Sequence, residues 1–121
     1  MREDGQELEV VMTWEAIYDV TDIAEYIEMW FGINRADQFQ EQMYHAIQEL
    51  GYSAGILGMT HIQYRGFDIY QKIFSPSIIF YIIKDGKVHI LRVLRHERDW
   101  EKILKEQSTY TYPDDNTDKE K

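Results

Sequence analysis

The chain has 121 residues, a formal net charge of −9, 44% hydrophobic and 14% aromatic residues, and no cysteine. That length and composition suit one globular domain with a compact core, and they exclude disulfides, thiolate metal sites and cysteine nucleophiles. No apolar run reaches the roughly 18 residues of a membrane span, and the acidic start Met1-Arg2-Glu3-Asp4 lacks the basic region of a signal peptide, so a cytoplasmic protein with no membrane partner is expected.

Glu7 to Trp14 (ELEVVMTW) is rich in β-branched and apolar residues and reads as a first strand. Thr13 or a neighbour caps a helix from about Glu15, in which Ile17, Val20, Ala24, Ile27 and Phe31 recur at helical spacing. Gly32 is placed to end it, because a helix C-terminus calls for the left-handed conformation that glycine reaches cheaply. Asn34 is a cap for a second helix with the apolar stripe Ala36, Phe39, Met43, Ile47 and Leu50, and Gly51 closes it. Two amphipathic helices joined this closely form an antiparallel hairpin whose stripes need a shared surface.

Gly51 to Gly66 carries four glycines and reads as a loop with at most a short piece of strand. Ile69 to Phe74 is the next strand, Ser75-Pro76-Ser77 its turn, Ile78 to Lys84 a buried strand, and Lys87 to Leu94 the last. Between these two, Asp85-Gly86 suits a type I′ hairpin, whose central residues both need positive φ. A short helix spans about Asp99 to Lys105. The reading is therefore one α+β domain over residues 1–105, an antiparallel sheet with an N-terminal helical hairpin on one face in the order β-α-α-β-β-β-α. Residues 106–121 form a polar tail, expected to be disordered.

The charge is unevenly spread. Glu15 to Gly51 holds eight acids and one base, Arg35, whereas His61 to Lys105 holds nine bases and five acids. A local basic surface thus survives the acidic total, although a charge run can equally be a solvated face. A two-residue turn at Asp85-Gly86 sets the register: Ile83 faces Val88, Tyr81 faces Ile90 and Ile79 faces Arg92, while Leu91 faces Phe80 and Val93 faces Ile78. Arg92 then lies among apolar neighbours, as a snorkelling edge residue, a paired structural arginine or a functional contact.

The segment from Arg92 to Trp100 is the richest in chemistry. Arginines bind phosphate bidentately and an imidazole exchanges a proton near neutral pH. Arg92, Arg95, His96 and Arg98, with Lys72, could serve a metal-free ribonuclease. Arg92, Arg95, His96, Arg98 and Trp100 could equally anchor a macromolecular target, and the plain alternative is a helix cap with charges in water. Signatures for a P-loop, a dinucleotide site or a metalloprotease are absent, so neither metal nor cofactor is expected.

Three sets of residues carry a family resemblance. They are Ile78-Ile79-Phe80-Tyr81-Ile82-Ile83 with the Asp-Gly turn, Val88-His89-Ile90-Leu91-Arg92-Val93-Leu94, and Arg98-Asp99-Trp100. With Trp14, Ala16, Asp22, Ile23, Tyr26, Ile27, Gly32, Ala36, Phe39, Ile47 and Leu50 in the first half, they resemble the RelE/ParE toxin superfamily over about Leu8 to Leu104. The resemblance implies the toxin of a type II toxin–antitoxin (plasmid stabilisation) system, with a cognate antitoxin as partner. RelE-like members cut mRNA in the ribosome and usually carry an arginine on the strand matching Ile78 to Ile83. That strand is apolar here, so the ParE-like branch, which inhibits DNA gyrase by binding, is favoured. The alternatives are a RelE-like mRNA endoribonuclease acting with the ribosome, and a non-toxic member that keeps only antitoxin binding.

Overall fold

The computed structural model describes residues 7–56 and 58–113. Its elements are β1 (Glu9–Met12), α1 (Trp14–Phe31), α2 (Ile33–Ser53), a 3-10 turn (Ala54–Ile56), β2 (Met59–Tyr64), β3 (Phe67–Phe74), β4 (Ser77–Lys84), β5 (Lys87–Arg95) and α3 (Trp100–Glu106). The sheet runs β1-β5-β4-β3-β2. The architecture is α+β, with the helical hairpin followed by the strands, as expected. β2 to β5 form an antiparallel meander, and β1 joins β5 in parallel, which makes the sheet mixed.

Thr13 starts α1 by accepting a hydrogen bond from the Ala16 amide at 2.9 Å, a cap worth about 1 kcal/mol. Trp14, read at the end of the first strand, is the first residue of this helix. Gly32, at φ +95°, both ends α1 and precedes α2, so Asn34 falls inside the first turn of α2 rather than at its cap. The second helix also runs past Gly51 to Ser53. Gly51 is buried and its carbonyl accepts the Leu8 amide at 2.9 Å, while a Cβ there would stand 2.5 Å from the Leu8 oxygen. This glycine lets the chain entering β1 cross α2; it does not stop the helix.

The sheet has a core on each face. Toward the hairpin, Ala16, Val20, Ile23 and Ile27 of α1 and Phe39, Met43, Ile47 and Leu50 of α2 pack on Ile79, Tyr81, Val88, Ile90 and Val93. Tyr81 is fully buried, and its hydroxyl is satisfied by the Ala54 carbonyl at 2.9 Å. On the opposite face Ile62, Ile69, Ile78, Phe80, Ile82, Leu91 and Leu94 meet Leu104 of α3, with Trp100 and Tyr110 packed against them. Burial on both faces is why β4 reads as an unbroken apolar run.

Three expectations shift in detail. Part of the glycine-rich stretch is a full strand, β2, bulged between Met59 and Gln63, with His61 at φ 71°. Phe31, counted in the buried stripe of α1, is 59% exposed. The Asp85-Gly86 turn does have two positive φ values, 55° and 74°, and pairs Lys84 with Lys87, Ile83 with Val88 and Tyr81 with Ile90. Beyond that the ladder slips by one residue: Phe80 pairs with Arg92, Ile79 with Val93 and Ile78 with Leu94. The extra residue of this bulge, on β5, keeps Leu91 in one core and Val93 in the other. Among the described residues no helix is long and apolar enough to cross a membrane.

Candidate functional site

The chemistry-bearing segment begins where β5 loses one of its neighbours. β1 pairs with β5 only as far as Met12 opposite Ile90. Its place is then taken by side chains and by the capping residue. The Thr13 amide donates to the Ile90 carbonyl at 3.1 Å, and the Thr13 hydroxyl donates to the Leu91 carbonyl at 2.9 Å. Asp19 of α1 accepts the Val93 amide at 3.0 Å and the Arg92 guanidinium through Nε at 2.7 Å and Nη2 at 2.9 Å. A third donor, Arg92 Nη1, reaches Gln107 Oε1 at 3.0 Å. The side chains of Arg92 and Asp19 are only 15% and 9% exposed.

Of the three readings of Arg92, this is the paired structural one. Burial pushes the Asp19 carboxyl above the ordinary aspartate range, while the hydrogen bond and charge of Arg92 pull it back. Arg92 is moved upward, first by its hydrogen bond to Asp19. The bidentate contact is the geometry in which a guanidinium and a carboxylate hold each other most specifically. Asp19 escapes notice if acids are assigned wholesale to the solvent face of α1. Its spacing from Ala16 and Ile23 puts it on the buried face, and that was the available signal.

Past the bulge the candidates diverge. Arg95 lays its guanidinium over the Tyr26 ring, 3.9 Å from the centroid, and pairs with Glu97. Its Nε is buried with no hydrogen-bond partner among the described residues. The His96 amide donates to the Pro76 carbonyl at 3.0 Å, and the side chain is exposed. Arg98 is exposed in the turn that follows, close enough to Asp19 to act on its charge. Trp100 packs against Phe80 with ring centroids 5.2 Å apart and belongs to the second core.

Lys72 lies elsewhere. It pairs with Ile79 in the sheet and lines a cleft of about 540 Å³ with Glu41, Gln42, His45, Glu49 and Phe74. Arg95 lines a separate groove of about 690 Å³ between the hairpin and the β3–β4 turn, with Tyr26, Phe31, Arg35, Phe39, Phe74 and Pro76. The two hollows meet at Gln42 and Phe74. Among the described residues no group of three or more His, Asp or Glu side chains could hold a metal ion. Lys72 lies apart from the end of β5, whereas Arg95 and Arg98 line a smaller hollow of about 140 Å³ together with the carboxylates Asp19 and Asp22, which oppose a phosphodiester there. The sequence pointed to the basic end of β5 but not to its aromatic partner Tyr26 or to Arg35 in the same groove.

The described part of the tail, up to Pro113, lies against the domain. Trp14 donates its amide to the Thr111 carbonyl at 2.7 Å, and Thr111 donates its amide and hydroxyl to Glu15 at 3.0 Å each. Tyr110 meets Tyr64 edge-on at 4.9 Å. The Tyr112 hydroxyl lies 2.8 Å from His89 Nδ1, whose other ring nitrogen is 3.3 Å from the Lys84 carbonyl. Residues 114–121 of the expected tail lie outside the described residues.

Comparison with known proteins gives two findings. Residues 10–100 match the family model described as the ParE toxin of the type II toxin-antitoxin system parDE. The fold is similar to a solved chain of the chromosomal ParDE TA system from P. aeruginosa, with a TM-score of 0.67 and 17% identity, covering 75% of this chain and 98% of that one. No curated protein matches the sequence.

Proposed function

The chain belongs to the ParE toxin family of type II toxin–antitoxin systems, and we propose that it acts by binding: it inhibits DNA gyrase and is neutralised by a cognate antitoxin. The observation that carries the choice of binding over RNA cleavage is the fate of Arg92. A nuclease needs a free cation beside the scissile phosphate to stabilise charge that develops in the transition state. Arg92 instead spends three donors on Asp19 and Gln107. Its strand neighbour β4 offers no charged side chain from Ile78 to Ile83.

The target surface in this reading is the end of β5 and the turn after it. Arg95, His96 and Arg98 make the direct contacts, while Arg92 and Trp100 hold that turn in place from beneath. The antitoxin covers the groove beside the hairpin, or adds a strand to a free sheet edge at β1 or β2. The groove mode places it against Arg95, so that antitoxin and target compete there.

Induction of the protein in cells without its antitoxin tests this. The expected result is trapped covalent gyrase–DNA complexes, an SOS response and intact transcripts. Normal supercoiling and intact DNA, or transcripts cut at codons, would overturn it.

A further inference from the structure

The described surface is most apolar at the tip of the helical hairpin. Met29, Trp30, Phe31 and Ile33 are 78%, 64%, 59% and 56% exposed. They flank Gly32, whose φ of +95° turns the chain from α1 into α2 within one residue. None of the four belongs to either core. Large apolar side chains grouped on a soluble surface mark an interaction site, and Trp, Phe and Met are the types that interface centres favour.

The charges around the tip define what it can meet. Glu25, Glu28 and Asp37 are exposed around it. The base on α2 beside it, Arg35, is drawn over the Phe31 ring at 5.2 Å. Glu25 precedes Met29 by four positions, so it shares its helix face. An acidic ring of this kind repels nucleic acid and anionic lipid, and a second copy of a chain carrying a net charge of −9 is disfavoured for the same reason. A protein surface with a basic border is attracted.

The tip is also continuous with the basic end of β5. Tyr26 carries Arg95 on its face at 3.9 Å and lies 6.4 Å from the Trp30 ring. We propose that the hairpin tip anchors the protein on its target by seating Met29 and Trp30 in an apolar cleft rimmed with lysine and arginine. The inference rests on the reading of the protein as a binding inhibitor, and it adds a second contact point joined to Arg95 through Tyr26.

The test uses the full chain and two variants, Met29→Ser with Trp30→Ser, and Glu25→Lys with Glu28→Lys, each first shown by circular dichroism and thermal melting to fold like the wild type. Purified gyrase is the probe, and inhibition of supercoiling is the readout. The expected result is at least a tenfold rise in the inhibitory concentration for the apolar variant. The charge variant should show a smaller rise and a weaker dependence on salt. Wild-type inhibition matched by both variants would overturn the anchor and leave the gyrase reading standing. If the wild type leaves gyrase untouched, the gyrase reading fails, and growth arrest on induction decides the anchor: relief by the apolar variant supports it and equal arrest overturns it. A wild-type dimer that the apolar variant dissociates, or binding of the tip to phosphatidylglycerol vesicles, would assign the patch to another occupant and overturn it as well.

Discussion

At the scale of single residues, most of the weight falls on Asp19. It ties Arg92 and the Val93 amide to α1 at the place where β1 has stopped pairing. Removing one partner of a buried pair leaves the other charge without compensation, at a cost of about 3–5 kcal/mol. Asp19→Ala and Arg92→Ala should therefore each lower unfolding free energy in urea by roughly that amount. The double variant should lose clearly less than the sum, since the second change removes the stranded charge. Additive losses would show that the pair is not coupled.

His89 makes the stability depend on pH. Burial lowers its pKa below the ordinary histidine value, with Lys84 and Lys87 adding to the shift and the Lys84 carbonyl and Asp85 opposing it. A lowered folded-state value means that the unfolded chain takes up the proton first as pH falls. Stability from this residue is therefore fully present above pH ~6.5, the ordinary histidine value, and is lost as pH falls from there through the folded pKa. Protonation also adds a proton to the ring that meets Tyr112 and the Lys84 carbonyl. Urea titrations at pH 7.5 and 5.5 should show a smaller acid-induced loss for His89→Gln than for the wild type. An unchanged loss would place the pH sensitivity elsewhere.

At the scale of elements, the crossing of β1 over α2 depends on Gly51. Alanine is the better helix former by about 1 kcal/mol, but its Cβ would sit 2.5 Å from the Leu8 carbonyl oxygen. The clash should win, and Gly51→Ala should destabilise the protein by roughly 1–3 kcal/mol. Gly55, where nothing lies within 4 Å of an added Cβ, should tolerate alanine with a change of about 0.5 kcal/mol or less. Thermal melting of the two variants side by side checks this, and equal melting points would refute the crossing as the reason for the glycine.

The same elements show why some of the fold was legible and some was not. The Asp85-Gly86 hairpin and the stripes of α1 and α2 follow from neighbours along the chain, so their sequence signals are strong. The bulge at Leu91 does not. It lies where β1 has ended at Met12 and Asp19 takes the Val93 amide in place of a strand, and both features are distant in sequence. β2 was obscured by flanking glycines and by a bulge that breaks its alternation at His61. Phe31 has the right spacing to be buried, but the turn at Gly32 carries it beyond the sheet that the rest of the stripe covers. At the functional end, the basic residues could be read as a cluster, whereas their partners Asp19, Tyr26 and Glu97 decide which of them stay available.

At the scale of the whole molecule, the acidic total and the basic end of β5 are compatible because the two sets of charge meet along α1, where Asp19 pairs with Arg92, and Arg95 and Arg98 line a hollow with Asp19 and Asp22. The acids concentrate on the helical hairpin, and the bases line the later strands and the turn before α3. The protein thus offers a mixed surface in which Arg95, Tyr26 and Trp30 run together. Such a surface suits a protein target better than a bare phosphate backbone, whose affinity depends on many cations side by side.

The most direct measurement places the purified protein with gyrase and supercoiled DNA, and in parallel with translating ribosomes and messenger RNA. A gyrase inhibitor that acts by binding should trap gyrase on cleaved DNA and leave the messenger intact. Cut messenger in the ribosome reaction, with gyrase turning over normally, would contradict the account.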